Sequence, residues 1–269
     1  MRVISHLSDL HFGTEDPAVA IALLHELDGT SLPAPSLVAV SGDLTQRAKD
    51  EEFHACREFL DMIPVPRLVV PGNHDVPMYD VVSRFLHPFR RYRRHITEDL
   101  SPSFVDDELQ VEGLNTAYPL TIKAGRITPR QTAALCARFE RGNSHRCKVL
   151  VAHHPFLLPA DAPEQDRVEG AAHAVVALER AGVELILTGH LHVTYSSDLG
   201  GFRSDDRAIV AVHAGTCIST RRRGEANSYN RLVIEGDRLK VSQRLWDGRR
   251  FADGLQKDYR REAGRWRHE

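Results

Sequence analysis

Five times before residue 193 this chain runs a short stretch rich in Val, Ile and Leu straight into Asp, Asn or His: "RVISHLSDLH", "SLVAVSGD", "RLVVPGN", "KVLVAHH" and "ELILTGH". Near-continuous apolar runs of this length suit strands buried on both faces. Between the first four stand segments with helical periodicity, Pro17 to Leu27, Glu51 to Asp61 and Pro129 to Glu140, and Gly170 to Ala181 precedes the fifth. Asp9, Asp43 and Asn73 are 34 and 30 residues apart, about one strand-helix-strand unit each. The alternation predicts an α/β fold. In such sheets ligands gather beyond the carboxyl ends of the strands, and all five polar clusters fall at that edge.

Two regions depart from the pattern. Residues 76–107 carry Pro77, a helix-like "YDVVSRFLHPF", a basic "RRYRRH" and an acidic "DDE", and read as an insertion or cap beside the strand ends. From Val193 the runs "AIVAVHAGT", "YNRLVIEG" and "RLKVSQRLW" are separated by Gly, Asp and Arg, which predicts short antiparallel strands over 193–247 completing a second sheet. The tail, with Arg260, Arg261, Arg265, Trp266 and Arg267, is expected to be a surface helix or a frayed end. A length of 269 residues with 42% hydrophobic residues allows one large core, so a single domain over 1–269 is expected.

A formal net charge of -2 gives no global field that would draw the chain onto nucleic acid or a membrane, so any phosphate preference is local. Nucleic acid is accordingly disfavoured as a partner, and a homodimer is left open. The first apolar run reaches Asp9 and His11 too soon for a signal-peptide core. No run approaches the roughly 18 apolar residues of a membrane span, and a cytoplasmic setting is expected. Cys56, Cys136, Cys147 and Cys217 are widely spaced with no C-x-x-C pair, which argues against a disulfide framework or a cysteine zinc site.

Singly, an Asp-x-His at a strand end is more often a turn or a helix cap than a pair of ligands. Five clusters at one edge are different, because independent turns have no reason to supply Asp9, His11, Asp43, Asn73, His153, His190 and His192 together. Two carboxylates, an amide and four imidazoles exceed the needs of one ion, whereas two ions sharing a carboxylate would use them all. Without sulfur the set suits Mn, Fe, Co or Zn better than copper(I), and its imidazoles disfavour Ca and Mg. Two dications, less two carboxylates and a bridging hydroxide, leave one positive charge, which matches a phosphodiester monoanion. Such a centre can activate water and stabilise both oxygens of an in-line displacement at phosphorus. His74, beside Asn73 but outside the ligand set, is the candidate acid for the leaving oxygen. Asp75 is grouped with it as a catalytic candidate.

In this order and at these intervals, "DLH", "GDLT", "GNHD", "AHHP" and "GHLH" resemble the signature blocks of the calcineurin-like metallophosphoesterase superfamily, over Asp9 to His192. The resemblance implies a four-layer α/β/β/α sandwich with two mixed central sheets and a binuclear centre between the loops. It implies Asp9, His11, Asp43 and His192 around one metal, and Asp43, Asn73, His153 and His190 around the other, with Asp43 bridging and His74 as acid. In "AHHP" the resemblance makes the ligand the histidine two residues before the proline, His153, and leaves His154 either supporting a ligand from behind or facing the substrate. Gln46 stands where purple acid phosphatases place a tyrosine ligand, and His74 where UDP-diacylglucosamine hydrolases have Arg. The pattern is most similar to class III cyclic nucleotide phosphodiesterases and related bacterial enzymes.

The function expected is therefore metal-dependent hydrolysis of a small phosphodiester, with 3',5'-cAMP the leading candidate. A UDP-2,3-diacylglucosamine-type pyrophosphohydrolase is the rival, with Val81, Val82, Phe85, Leu86 and Phe89 as its potential apolar channel. A non-catalytic binding scaffold is the alternative from another class. In "TRRRGEANSYN", Arg221, Asn227 and Tyr229 are candidate base or sugar contacts. Arg90 to His95 is expected to be a solvated helix face, although such mixed basic and aromatic patches can also bind phosphates and stack bases. His213, at a strand end before "AGT", is a candidate supporting residue.

Overall fold

The computed structural model describes all residues except 144, 159–162, 199–208, 223 and 263–264; Arg223 of the second basic cluster thus lies outside the described residues. The first sheet contains β1 (Arg2–Leu7), β2 (Leu37–Ser41) and β3 (Arg67–Val70). The second contains β4 (Ser103–Val105), β5 (Leu109–Leu114), β6 (Cys147–Ala152), β7 (Leu185–Thr188), β8 (Tyr195–Asp198) and β9 (Val210–His213). Then β10 (Ser228–Glu235), β11 (Arg238–Trp246), β12 (Phe251–Glu262) and β13 (Arg265–His268) return to the first sheet. The strand orders are β13-β12-β11-β10-β1-β2-β3 and β4-β5-β6-β7-β9-β8. Within each sheet the central strands β1-β2-β3 and β5-β6-β7-β9 run parallel, which brings their carboxyl ends to a common edge.

Alternate residues of these strands serve two different cores, which is why the runs are apolar throughout. Ile4, Ala39, Val70, Val111, Val149 and Leu187 pack between the sheets. The opposite faces of the same strands meet helices. Leu7, Val38, Val40 and Val69 pack under α1 (Pro17–Leu27) and α2 (Asp50–Asp61). Leu114, Leu150 and Ile186 pack under α5 (Pro129–Arg141) and α6 (Ala171–Arg180). The result is the expected α/β/β/α sandwich. Each fully buried Val or Leu in it contributes roughly 1.5–3 kcal/mol.

Helix starts follow local chemistry. Asp16 caps α1 by accepting from the amides of Ala18 and Val19, with Pro17 supplying the first helical residue. Thr128 and Gln131 form a reciprocal capping box on α5. Cys56, Cys147 and Cys217 are buried free thiols, and Cys136 is half-buried.

Three expectations change. The run containing β9 is antiparallel on one side only: it pairs antiparallel with the edge strand β8 but lies parallel to β7 on the other. The cause is burial on both faces, since Val210 and Val212 enter the inter-sheet core while Ala211 enters the helix-side core. Strands β10 and β11 are antiparallel as expected but extend the first sheet beside β1. The tail is neither helix nor frayed: β12 pairs with β11 and β13 with β12, and Tyr259 and Trp266 are buried in the inter-sheet core.

Between β3 and β5 the chain forms α3 (Val81–Leu86), α4 (Arg90–His95) and β4. The basic cluster is α4, and it is anchored. Tyr92 is fully buried and its hydroxyl donates to Val69 O at 3.0 Å, so it presents no stacking face. Arg91 and His95 bond Asp50 at 3.1 and 2.8 Å. No helix among the described residues is long and apolar enough to cross a membrane.

Candidate metal centre

The five polar clusters follow the carboxyl ends of β1, β2, β3, β6 and β7, and the loops bring them together across the two sheets. Asp9 Oδ1 lies 3.6 Å from both His11 Nε2 and His192 Nε2, and Asp43 Oδ2 lies 3.8 Å from His11 Nε2. Asp43 Oδ1 lies 3.3 Å from His153 Nε2, Asn73 Oδ1 is 3.1 Å from His153 Nε2 and from His190 Nδ1, and the two imidazole nitrogens are 3.3 Å apart. The seven residues thus form two adjoining groups, and Asp43 turns one carboxylate oxygen to each.

The backbone is bent to achieve this. Six non-glycine residues among those described have positive φ, and five of them are Asp9, His11, Asp43, His190 and His192. Left-handed conformations at residues with a Cβ are costly and gather at functional sites. Glycine makes room alongside: a Cβ on Gly72 would overlap the Asp43 carboxylate, and one on Gly189 would overlap Ser8 Oγ.

Partners behind the ring fix the tautomers. His11 Nδ1 donates to Thr45 O at 3.3 Å and His153 Nδ1 to Ser41 O at 2.8 Å. Thr216 Oγ1 gives its proton to Arg221 O and so accepts from His192 Nδ1 at 2.8 Å. Each bond leaves Nε2 as the nitrogen facing inward, where a metal ion would displace any proton it carries. Asp9 Oδ1 and His11 Nε2 are buried with no hydrogen-bond partner, although buried polar atoms are normally paired. This unpartnered oxygen and nitrogen, with the His192 ring nitrogen beside them, fit a divalent cation.

The charges are unevenly distributed. Burial disfavours protonation of His153, but the Asp43 carboxylate outweighs it and raises the ring to about 9. Burial, reinforced by His153, lowers His190 to about 3. His74 is lowered by burial, with Asp43 opposing. Its Nδ1 donates to Gln46 O at 2.8 Å, and Arg221 Nη1 approaches its Nε2 at 2.8 Å. Arg221, a candidate base or sugar contact, is therefore placed beside His74.

Four other catalytic or substrate-binding candidates have polar atoms engaged by residues outside the ligand set, although the His154 ring packs against those of His153 and His190, with centroids 4.9 and 4.7 Å apart. Asp75 is buried, and its carboxylate accepts from Gly72 N, Leu44 N, Thr45 N and Thr45 Oγ1, tying the second loop to the third with no oxygen turned to the ligand groups. Both His154 nitrogens are occupied, Nδ1 by Thr116 Oγ1 and Nε2 by Lys123 O, each at 2.9 Å, so its ring fastens the loop before α5. Asn227 donates to Thr216 O and Ser219 O. Tyr229 is fully buried with its hydroxyl on Glu26 Oε2 at 2.8 Å. His213 bonds Thr188 Oγ1 at 2.8 Å. The sequence reading missed Thr216 and Gly125; a Cβ on Gly125 would strike the His154 ring. The signal for Thr216 was its place in "AGT", at the carboxyl end of β9 beside β7.

Residues 2–194 match the family model described as calcineurin-like phosphoesterase. A protein of Synechococcus named "Probable cyclic nucleotide phosphodiesterase" is 24% identical over 211 residues, covering 73% of this chain and 76% of that protein. The glycerophosphodiester phosphodiesterase GpdQ of Enterobacter lignolyticus is 30% identical over 82 residues; that match covers 27% of this chain and only 29% of GpdQ. Among solved structures, a dimetal phosphatase from Danio rerio shares the fold with a TM-score of 0.65 at 13% identity, covering 94% of this chain and 98% of that one. The chain belongs to the calcineurin-like phosphoesterase family and is a metal-dependent phosphoric ester hydrolase.

Proposed function

We propose that this chain hydrolyses a small phosphodiester at a centre of two divalent cations, with 3',5'-cAMP the first candidate substrate. The observation that carries the reading is the division of Asp43, Oδ1 toward His153 and Oδ2 toward His11. Asp9, His11, Asp43 and His192 would hold one cation and Asp43, Asn73, His153 and His190 the other. Cations there acidify water and stabilise charge on phosphoryl oxygens.

The chain supplies orientation and a proton. Backbone amides hold the carboxylates in place, His74 N on Asp43 Oδ1 at 2.8 Å and His190 N on Asp9 Oδ2 at 3.1 Å. With Nδ1 committed to Gln46 O, His74 has only Nε2 for exchanging a proton with a leaving oxygen. Arg221 covers that nitrogen. Substrate draws the guanidinium onto a phosphoryl oxygen, where it offsets charge and frees the His74 Nε2 lone pair, which takes a proton from water and passes it to the departing alkoxide. The names of the Synechococcus and Enterobacter relatives support a phosphodiester as substrate.

The test is reconstitution of metal-stripped protein with manganese, followed by metal analysis and turnover of 3',5'-cAMP, 2',3'-cAMP, a glycerophosphodiester, bis(p-nitrophenyl) phosphate and p-nitrophenyl phosphate. Two metal equivalents with preferred turnover of a cyclic nucleotide are expected. A single equivalent, or preference for the monoester, would overturn the reading.

A further inference from the structure

Helix α3 is turned inside out. Its apolar side chains Val81, Val82, Phe85 and Leu86 are 59%, 69%, 55% and 67% exposed, while its one charged residue, Arg84, is 7% exposed. Arg84 faces inward and donates to the carbonyls of Pro77 and Thr121. Those bonds join α3 to the loop before α5, where Leu120 and Ile122 are also exposed, at 65% and 58%. An amphipathic surface helix has the opposite arrangement, and exposed apolar patches in a folded protein mark interaction surfaces.

The adjoining groove determines what kind of partner fits. It has a volume of about 740 Å³ and is lined by Leu86, Phe89, Arg90, Arg93, Arg94 and, as its one acid, Glu98. Arg90, Arg93 and Arg94 are exposed, and among the described residues only Arg94 has an ion pair, to Asp50 at 3.9 Å. This end of α4 is thus free to bind anions, in contrast to the Arg91 and His95 side that is engaged with Asp50.

We propose that α3 and the arginine groove form a docking surface for a bilayer containing anionic phospholipid. Val82, Phe85 and Leu86 enter the boundary between headgroups and acyl chains, and Arg90, Arg93 and Arg94 lie at the depth of the phosphates. A second copy is the poorer fit. A two-fold contact sets a patch against itself, and here it would oppose arginines with only Glu98 to answer them. A bilayer offers an apolar layer and a negative one in the same order as the protein. The inference is independent of which ester the metal centre cleaves.

Full-length manganese-loaded protein should pellet with vesicles of equimolar phosphatidylcholine and phosphatidylglycerol, but not with phosphatidylcholine alone. Phe85→Asp and the double variant Arg93→Glu/Arg94→Glu should each weaken partitioning by about tenfold or more. Both should turn over bis(p-nitrophenyl) phosphate as the parent does, which shows that they are folded. Failure of the parent to pellet with the anionic vesicles, equal pelleting with neutral ones, or undiminished pelleting of either variant would overturn the proposal. So would light scattering that shows a dimer dispersed by Phe85→Asp in protein that does not pellet.

Discussion

Arg221 and His74 stand face to face, guanidinium Nη1 at 2.8 Å from imidazole Nε2, and the carbonyl of Arg221 also receives the Thr216 hydroxyl that orients His192. One residue therefore joins the proton-transfer candidate to the ligand ring. Arg221→Ala should retain metal and lose roughly tenfold to a hundredfold in kcat/KM toward diesters. An unchanged kcat/KM in steady-state assays would remove Arg221 from the reaction.

His74→Ala should separate leaving groups. An acid contributes on the order of 10²–10⁴-fold where the departing oxygen is a poor leaving group. With p-nitrophenolate, which leaves without a proton, the loss should be much smaller. Equal losses on an alkyl ester and its nitrophenyl counterpart would show that His74 acts otherwise.

Thr216→Val removes the acceptor for His192 Nδ1 while keeping the side chain's shape. Metal affinity should fall by about 10–100-fold, as when other partners behind a ligating histidine are removed. Competition against a chelator gives the value. Asp43→Ala should reduce metal content and abolish turnover even at saturating manganese.

A second buried polar group stands apart from the metals. Glu26 accepts from Tyr229 Oη at 2.8 Å and from Arg244 Nε at 3.0 Å, and all three are buried. Glu26→Ala removes one of the two carboxylates paired with the buried guanidinium and the acceptor of the buried Tyr229 hydroxyl, and should destabilise the fold by roughly 3 kcal/mol. Urea unfolding would register the change, while kcat in the fully loaded enzyme should stay near that of the parent.

Acid sensitivity should originate partly in β1 and β9. Burial lowers His213 from 6.5 to about 4, and burial with repulsion from His213 lowers His6 from 6.5 to about 3. The folded state then binds fewer protons than the unfolded chain at mildly acidic pH. The stability these neutral rings confer is complete above 6.5 and is lost as pH falls toward 4 and then 3. Between pH 7 and 5 each ring should account for roughly 2 kcal/mol, so His213→Gln should show a shallower decline in urea midpoint over that interval.

What could be read from sequence was whatever local chemistry dictates. Doubly buried parallel strands must be apolar throughout, and ligands must follow them at the same edge, so Asp9, Asp43, Asn73, His153 and His190 were visible as a series. Direction within a plane was not visible, because a doubly buried residue such as Val212 looks the same in a parallel or an antiparallel neighbour. The tail was misread because β12 is largely charged and only Phe251 and Tyr259 are buried in it; pairing with β11 makes it a strand, and pairing is nonlocal. Asp75, Asn227 and Tyr229 were given functional roles for being polar near a motif. Whether a polar side chain faces a cleft or a neighbouring loop's amides depends on the packing of loops distant in sequence.

The ligand groups draw on both halves of the sandwich, Asp9, Asp43 and Asn73 in the loops after β1, β2 and β3, and His153 and His190 in those after β6 and β7. Bound cations would therefore act as a clasp across the seam between the sheets. Their grip and the closure of that seam are one equilibrium viewed from two sides, so mutations deep in the inter-sheet core can loosen the metals without touching a ligand. Conversely, loading the metals should slow amide exchange in β3 and β6, far down strands that no ion contacts.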